Sequence, residues 1–537
     1  MMSEGFEFGE QVGDGPATAQ VSYMSKGRCL IVAEAEFALG LAQRLTELQC
    51  TILVPDDARV KPELLLSEDG DRLIAARVAS VSGYLGAFNV QLFNDNKSVS
   101  AGAVAELDGS LFDLILDAGG KPLIENSTPP LGYFAPRDEA SLEAALQEAN
   151  EMVGEFDKPI FTLYEQAKCA HGASSKRGCD ACLNACSAGA ISSLGNSIAL
   201  DNMLCMGCGT CTVVCPSGAL RFAYPDAVSS LNQMRDILQM SEGALRTVLF
   251  YQAEGGEEYL QAQRESIPDY MLPVAVEEVS SIGMDIWLSL LAFGVGNVVL
   301  LCHDSDSADA LLIQEQVGHA QEMLAGLGYS RDCIQMRGMA QGVRVESISA
   351  MPALVAEPAT YALYDDKRQL IRRAMDRIVA GATTPVPESV ALKPGAAFGA
   401  ISADSDKCTL CMACVSACPA GSLLAMGEEP GLKFVEETCL QCGLCRNTCP
   451  ENALSREPRY LYNSTSAREQ RLLHHEEPYR CLRCAKPFAT RSGIETITAK
   501  LANHPMFQEP GSLNRLRMCE DCRVVDMMES GSPTLHS

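Results

Sequence analysis

Apolar residues along this chain fall into short continuous runs separated by stripes at helical spacing, and that alternation predicts α/β units. Near the N-terminus the runs at 29–33 (CLIVA) and 50–54 (CTILV) read as short buried strands. Between them, 36–49 places Phe37, Leu41, Leu45 and Leu48 on one helical face. The run at 111–116 (LFDLIL) predicts a further strand, and Asp138 is positioned to cap a helix reaching Val153. A β-α-β order favours a parallel sheet with right-handed crossovers. The same grammar returns later, with strands at 247–251 and 273–277, a helix at 286–293, a strand at 298–302 and a longer helix at 308–327.

One stretch invites a membrane reading, 284–302 (MDIWLSLLAFGVGNVVLLC). A spanning helix needs about 20 unbroken apolar residues. Here Gly294, Gly296 and Asn297 divide the run into a helix-like and a strand-like half, so a buried helix–turn–strand is expected and no membrane span. The stretch 383–394 (TTPVPESVALKP) reads as a Pro-rich linker. Neither first strand–helix turn carries a Gly-x-Gly-x-x-Gly fingerprint, which argues against a standard dinucleotide site.

Length and charge narrow the partners. A chain of 537 residues is expected to form several domains. Its 47% hydrophobic and 21% charged residues are those of an ordinary folded protein. The formal net charge of −27 repels phosphate backbones and anionic lipids, so nucleic acid and membrane surfaces are poor partners and a basic protein surface a better one. The opening MMSEGFEFGEQ has no basic region followed by an apolar run, so no secretory signal is expected and the reading is cytoplasmic. In that reducing compartment, 24 cysteines point to metal binding rather than disulfides.

The cysteine spacing carries the chemistry. Cys408-x2-Cys411-x2-Cys414-x3-Cys418-Pro419 is followed by Cys439-x2-Cys442-x2-Cys445-x3-Cys449-Pro450. Three closely spaced thiolates occupy three corners of a 4Fe–4S cubane, and the fourth cysteine of each block ligates the other cluster. One cluster therefore takes Cys408, Cys411, Cys414 and Cys449, and the second Cys439, Cys442, Cys445 and Cys418. Zinc needs only four ligands and does not call for this repeat.

An earlier block repeats the design with one copy altered. Cys205-x2-Cys208-x2-Cys211-x3-Cys215-Pro216 is complete, whereas Cys179-x2-Cys182-x3-Cys186 lacks a cysteine three residues upstream and has Ser187 for the usual proline. Cys169, displaced by the insertion AHGASSKRG, is the expected missing ligand. A third cluster then takes Cys169, Cys179, Cys182 and Cys215, and a fourth Cys205, Cys208, Cys211 and Cys186. The alternatives for the third are a 3Fe–4S cluster or His171 as ligand. A last block, Cys481-x2-Cys484 and Cys519-x2-Cys522, supplies four thiolates for a structural zinc, with rubredoxin-like iron as the alternative. Ile494, Ile497 and Leu501 predict a helix in the gap. Cys29, Cys50, Cys302 and Cys333 are left over; the first three lie within or at the ends of apolar strands as inert core residues, and none of the four is expected to be catalytic.

Three resemblances follow from these residues. Residues 400–458 resemble the bacterial two-cluster ferredoxins, and both duplicated blocks look like polyferredoxin modules. The run LPVAVEEVSSIGMDIWLSLLAFGVGNVVLLCH is similar to the delta subunit of methyl-viologen-reducing hydrogenase. That family carries a 2Fe–2S cluster, but here only Cys302 falls near a matching position and Ser280–Ser281 stand where a cysteine would be, which implies a domain without a cluster. As a whole the chain is similar to bacterial cytoplasmic 4Fe–4S-binding proteins, some associated with formate dehydrogenase. The fold expected is multidomain α/β plus α+β. It comprises an α/β domain at 1–160, a dicluster ferredoxin module at 161–228, a parallel-sheet α/β domain at 240–382, a second module at 395–460 and a zinc-ribbon-like domain at 470–530. The function expected is electron relay through four 4Fe–4S clusters to a redox partner such as a formate dehydrogenase. The alternatives are an accessory factor docking on a metalloenzyme, and, last, an enzyme with a flavin in an α/β domain.

Overall fold

The computed structural model describes residues 19–529 apart from 60, 67–71, 96, 428 and 509–510, so the N-terminal stretch read for a secretory signal lies outside the described residues. The first α/β units build a six-stranded sheet in the order Tyr133–Phe134, Leu114–Asp117, Arg28–Val32, Gln49–Pro55, Arg72–Ala76, Glu63–Leu66. It is parallel except at the last pair. Leu114–Asp117 is buried at every position, the pattern of a strand covered on both faces. The helix expected over 36–49 is shorter, Ala35–Ala42. Gln49 is already the strand partner of Arg28, so the chain must turn before it. Leu45 still reaches the core from that turn. The strand expected from 111 begins at Leu114, because Phe112 instead bridges antiparallel to Phe88. Asp138 caps the helix Glu139–Glu151 by accepting the Ser141 N–H at 2.8 Å.

Two further features complete this unit. Val78–Ser82, Asn89–Asn94 and Lys97–Ser100 form a small antiparallel sheet. Gln20–Ser25 pairs antiparallel with Gly154–Pro159, closing this unit on itself.

The middle of the chain forms a four-stranded parallel sheet ordered Met271–Val276, Thr247–Gln252, Asn297–Cys302, Ile334–Gly338. The helix Met284–Ala292 is buried along its whole length, with Trp287 fully enclosed. It ends before Gly294, whose φ of +102° turns the chain into the strand Asn297–Cys302. The apolar run is thus a helix–turn–strand. Among the described residues no helix is long and apolar enough to cross a membrane. The helix Lys367–Ala380 packs on Met284–Ala292 with Leu370, Ala374, Met375 and Ile378 buried.

The stretch read as a Pro-rich linker is held in place. Ser389–Ala391 pairs antiparallel with Leu454–Leu461, which also pairs with Gly399–Ala403. The Thr384 hydroxyl donates to the Leu327 carbonyl at 2.7 Å. Val390 supplies the β-branched residue at the centre of the added strand, and a free Pro-rich spacer could not make this ladder.

Truncating the enclosed helix should be costly. Leu291→Ala is expected to destabilise the middle unit by about 2–5 kcal/mol. The measurement is an earlier urea midpoint in the fluorescence of Trp287, the chain's single tryptophan.

Candidate metal centres

Each cysteine block places its last cysteine at the end of a five-residue helix. The helices are Ala181–Ala185, Thr210–Val214, Ala413–Ala417 and Leu444–Thr448, with Cys186, Cys215, Cys418 and Cys449 at their C-caps. In the three complete copies the residue after the second cysteine is left-handed: Gly209 at φ +75°, Met412 at +59° and Gly443 at +83°. So is the residue before it, Gly207, Leu410 or Gln441. These turns swing successive thiols to one side. Each C-cap sulfur then accepts a backbone N–H: Ala190 to Cys186 at 3.2 Å, Leu220 to Cys215 at 3.5 Å, Ser422 to Cys418 at 3.2 Å and Ala453 to Cys449 at 3.3 Å. Hydrogen bonds to sulfur favour its charged, ligating form.

The thiols gather in fours. Cys408, Cys411, Cys414 and Cys449 line one cavity with Leu410 and Leu432. Cys418, Cys439, Cys442 and Cys445 line a second with Ile401 and Phe434. Cys169, Cys179, Cys182 and Cys215 line a third with Tyr164 and Ile198. In the fourth group the Cys211 thiol is raised well above its ordinary value, by burial first and then by Cys208, Cys205 and Cys186. Burial together with neighbouring sulfurs also pushes Cys182, Cys414 and Cys445 up to about 12. Thiols crowded in this way cannot ionise together unless a cationic centre takes them. Four sulfurs around an apolar-walled cavity, with N–H groups aimed at them, fit the donor set of a 4Fe–4S cluster.

The altered copy shows how its insertion is absorbed. Gly172–Ala173 and Lys176–Arg177 form a two-stranded hairpin turning through Ser174 and Ser175, both at positive φ. Below it the Cys179 N–H donates to the Ala170 carbonyl at 2.9 Å, which brings Cys169 and Cys179 side by side. His171 is buried with both ring nitrogens engaged, Nδ1 to the Cys179 carbonyl at 2.8 Å and Nε2 to the Ser193 hydroxyl at 2.7 Å. In this arrangement it braces the hairpin. Ser187, in place of proline, sets its hydroxyl 3.8 Å from the Cys208 sulfur.

The two cysteine segments meet. Asn447 Nδ2 donates to the Arg177 carbonyl at 2.9 Å. Gly178 lies so close to Leu444 that a Cβ there would stand 2.5 Å from its Cγ, so no larger residue fits the seam. Burial first, then Cys215 and Cys442, push Cys179 up to about 12, so a group of the first segment faces one of the second. Cys211 likewise senses Cys182, and Cys445 senses Cys414. The four groups therefore follow one another, from Cys205 and its neighbours, through the Cys179 and Cys442 groups, to Cys408 and its neighbours.

Two residues of the middle helix join these segments, and no spacing rule points to them. Lys367 Nζ donates to the carbonyls of Thr212, Val213 and Cys215 at 2.8, 2.6 and 3.2 Å. Arg368 reaches Pro216 of the first segment and Glu437 and Cys439 of the second, again through carbonyls. In sequence, KRQLIRRAMDR looks like a basic amphipathic helix on a solvated face. Beside it a cleft of about 440 Å³ carries five cations against two carboxylates, unlike the acidic chain as a whole.

Near the C-terminus, Cys481, Cys484, Cys519 and Cys522 place their sulfurs within 4.8 Å of one another. The gap between the pairs contains the helix Arg491–Leu501, with Ile494 buried and Ile497 exposed. Burial acts to raise Cys481, but the N–H groups of Cys484, Cys519 and Arg483 outweigh it and hold this thiol below its ordinary value. The group fits a single tetrahedral metal ion.

Comparison with known families agrees with the spacing. A 4Fe–4S dicluster domain matches residues 407–453, which contain all eight cysteines of the second segment. A 4Fe–4S binding domain matches residues 198–221, which contain Cys205, Cys208, Cys211 and Cys215. Cys169, Cys179, Cys182 and Cys186 lie outside both matches, and no curated protein matches the chain. The chain carries two ferredoxin-type 4Fe–4S segments, and it is an iron–sulfur-binding protein.

Proposed function

We propose that this protein relays single electrons through four 4Fe–4S clusters, one at each group of four thiols described above. The observation behind this reading is the consecutive arrangement of the groups, with the Cys179 and Cys442 groups adjoining across the seam between segments. When bound, such clusters supply one-electron chemistry at potentials between about −700 and +450 mV. The chain's own residues hold the thiolates, donate N–H groups to sulfur, and exclude water with Leu410, Leu432, Ile401 and Phe434. Cys169 serves as fourth ligand of the altered copy, since His171 has no free nitrogen to offer. The C-terminal four cysteines hold a structural zinc, as small domains of this kind use metal to fold.

The partners are redox enzymes, and a formate dehydrogenase is the first to try, on the resemblance noted in the sequence. The α/β units serve as docking bodies. A second reading, an accessory factor that docks on a metalloenzyme without passing electrons, is favoured by their size. Mixing dithionite-reduced protein with a purified formate dehydrogenase separates the two. Rapid stoichiometric reoxidation supports relay, and stable binding without electron flow supports the accessory role.

Three outcomes are expected from anaerobically purified protein. Metal and sulfide analysis should give about sixteen irons, sixteen sulfides and one zinc per chain; about eight irons would leave one segment empty and overturn the four-cluster relay. Cys169→Ser should lower the iron content or alter the low-temperature paramagnetic spectrum of one cluster, whereas His171→Ala should keep all the iron. Cys519→Ala should lose one metal equivalent without any loss of sulfide, as measured by emission spectrometry.

A further inference from the structure

The two thiol groups of the second cysteine segment share one loop design but not one electrostatic setting. Arg368 donates Nη2 to the carbonyls of Glu437 and Cys439 at 2.8 and 3.0 Å, and Nη1 to those of Pro216 and Ala397 at 3.3 and 3.0 Å. Its guanidinium sits 4.6 Å from the centre of the Phe398 ring. All four acceptors are main-chain carbonyls, so none neutralises the charge. Of the carboxylates sharing its cleft, Glu437 pairs with Arg468 at 2.9 Å, and Asp366 accepts the Gln369 N–H at 3.0 Å while still acting on Arg368. Arg456 adds a second cation, donating to the Gln441 carbonyl at 2.6 Å between Cys439 and Cys442. Burial raises Cys439 and Cys442, and the two guanidiniums act against it.

Around the sister group the setting differs. The Glu451 carboxylate lines the cavity of Cys408, Cys411, Cys414 and Cys449 and pairs with Lys500 at 3.1 Å. Lys407, next in sequence to Cys408, is paired with Asp404 at 2.7 Å.

Reducing a cluster adds one negative charge, and a cation held nearby favours that state while an anion opposes it. Net charge and hydrogen bonding are among the terms that set cluster potentials. Resting on the relay reading above, we propose that Arg368 and Arg456 give the cluster of Cys418, Cys439, Cys442 and Cys445 a higher reduction potential than its neighbour at Cys408, Cys411, Cys414 and Cys449, beside which Lys407 and Lys500 are each paired with a carboxylate. An electron in this segment then rests at the inner cluster, against the first segment, and not at the outer one. Arg368 belongs to the middle α/β unit, so that unit acts as a positioning element for the segment's potentials.

The test is a redox titration of the full-length protein, followed by low-temperature paramagnetic resonance, with iron and sulfide measured on each sample. Arg368→Gln keeps N–H donors but removes the charge. It should lower one couple at least tenfold in the reduction equilibrium constant, about 59 mV for one electron. Arg368→Lys should restore most of that shift. Should Arg368→Gln lose iron, Arg456→Gln, whose side chain is exposed, is expected to lower the same high-potential couple with its clusters intact. Full cluster content with no couple moved, or Arg368→Gln and Arg456→Gln moving different couples, overturns the inference. Wild-type protein without any cluster signal would instead remove the relay reading itself.

Discussion

Four thiols forced together at one point dominate the design of this protein. Buried sulfur resists ionisation, and each neighbouring sulfur adds to that resistance, as at Cys211, Cys414 and Cys445. The local backbone answers this crowding by a shared device. In all four blocks a five-residue helix stops at the last cysteine and an N–H four or five residues on reaches that sulfur, and in the three complete copies left-handed turn residues aim the thiols inward. A fully apolar pocket would bury the sulfurs without these donors, and an open one would admit water to them. The blocks do neither.

The larger units supply what the loops cannot. The parallel sheet of the middle unit carries the enclosed helix Met284–Ala292, and on it lies Lys367–Ala380. The first two residues of that second helix reach both cysteine segments through main-chain carbonyls. Lys367 donates to three carbonyls, which uses all three N–H bonds of an ammonium. Arg368 is anchored to carbonyls rather than carboxylates, in a chain whose net charge is strongly negative, whereas Lys367 also feels the Asp285 carboxylate. An apparently ordinary α/β body thereby becomes part of the electrostatic setting of the metal centres.

The altered copy in the first segment shows how much variation the arrangement tolerates. The nine residues between Cys169 and Cys179, where a complete copy has two, fold into a hairpin that returns the chain to its starting point. The antiparallel ladder sets Cys169 and Cys179 on one cavity, where a complete copy uses a tight turn. The histidine within the insertion, a candidate ligand on sequence grounds, is used up in bracing that ladder.

The sequence by itself determined the cysteine blocks, the grouping of thiols expected from their spacing, the two parallel-sheet units and the break at Gly294. These depend on local spacing and on periodicity, which need no knowledge of distant residues. Helix and strand ends were less legible: the helix after Ala35 stops early because Gln49 is claimed by a strand partner, and 383–394 joins a sheet through Ser389–Ala391. Only the tertiary structure decided that Gly178 meets Leu444, that Lys367 and Arg368 bind carbonyls of both segments, and that Arg456 reaches the Gln441 carbonyl. Such contacts join residues tens to hundreds of positions apart, and no local pattern encodes which basic residue of a helix will face a sulfur and which will face water.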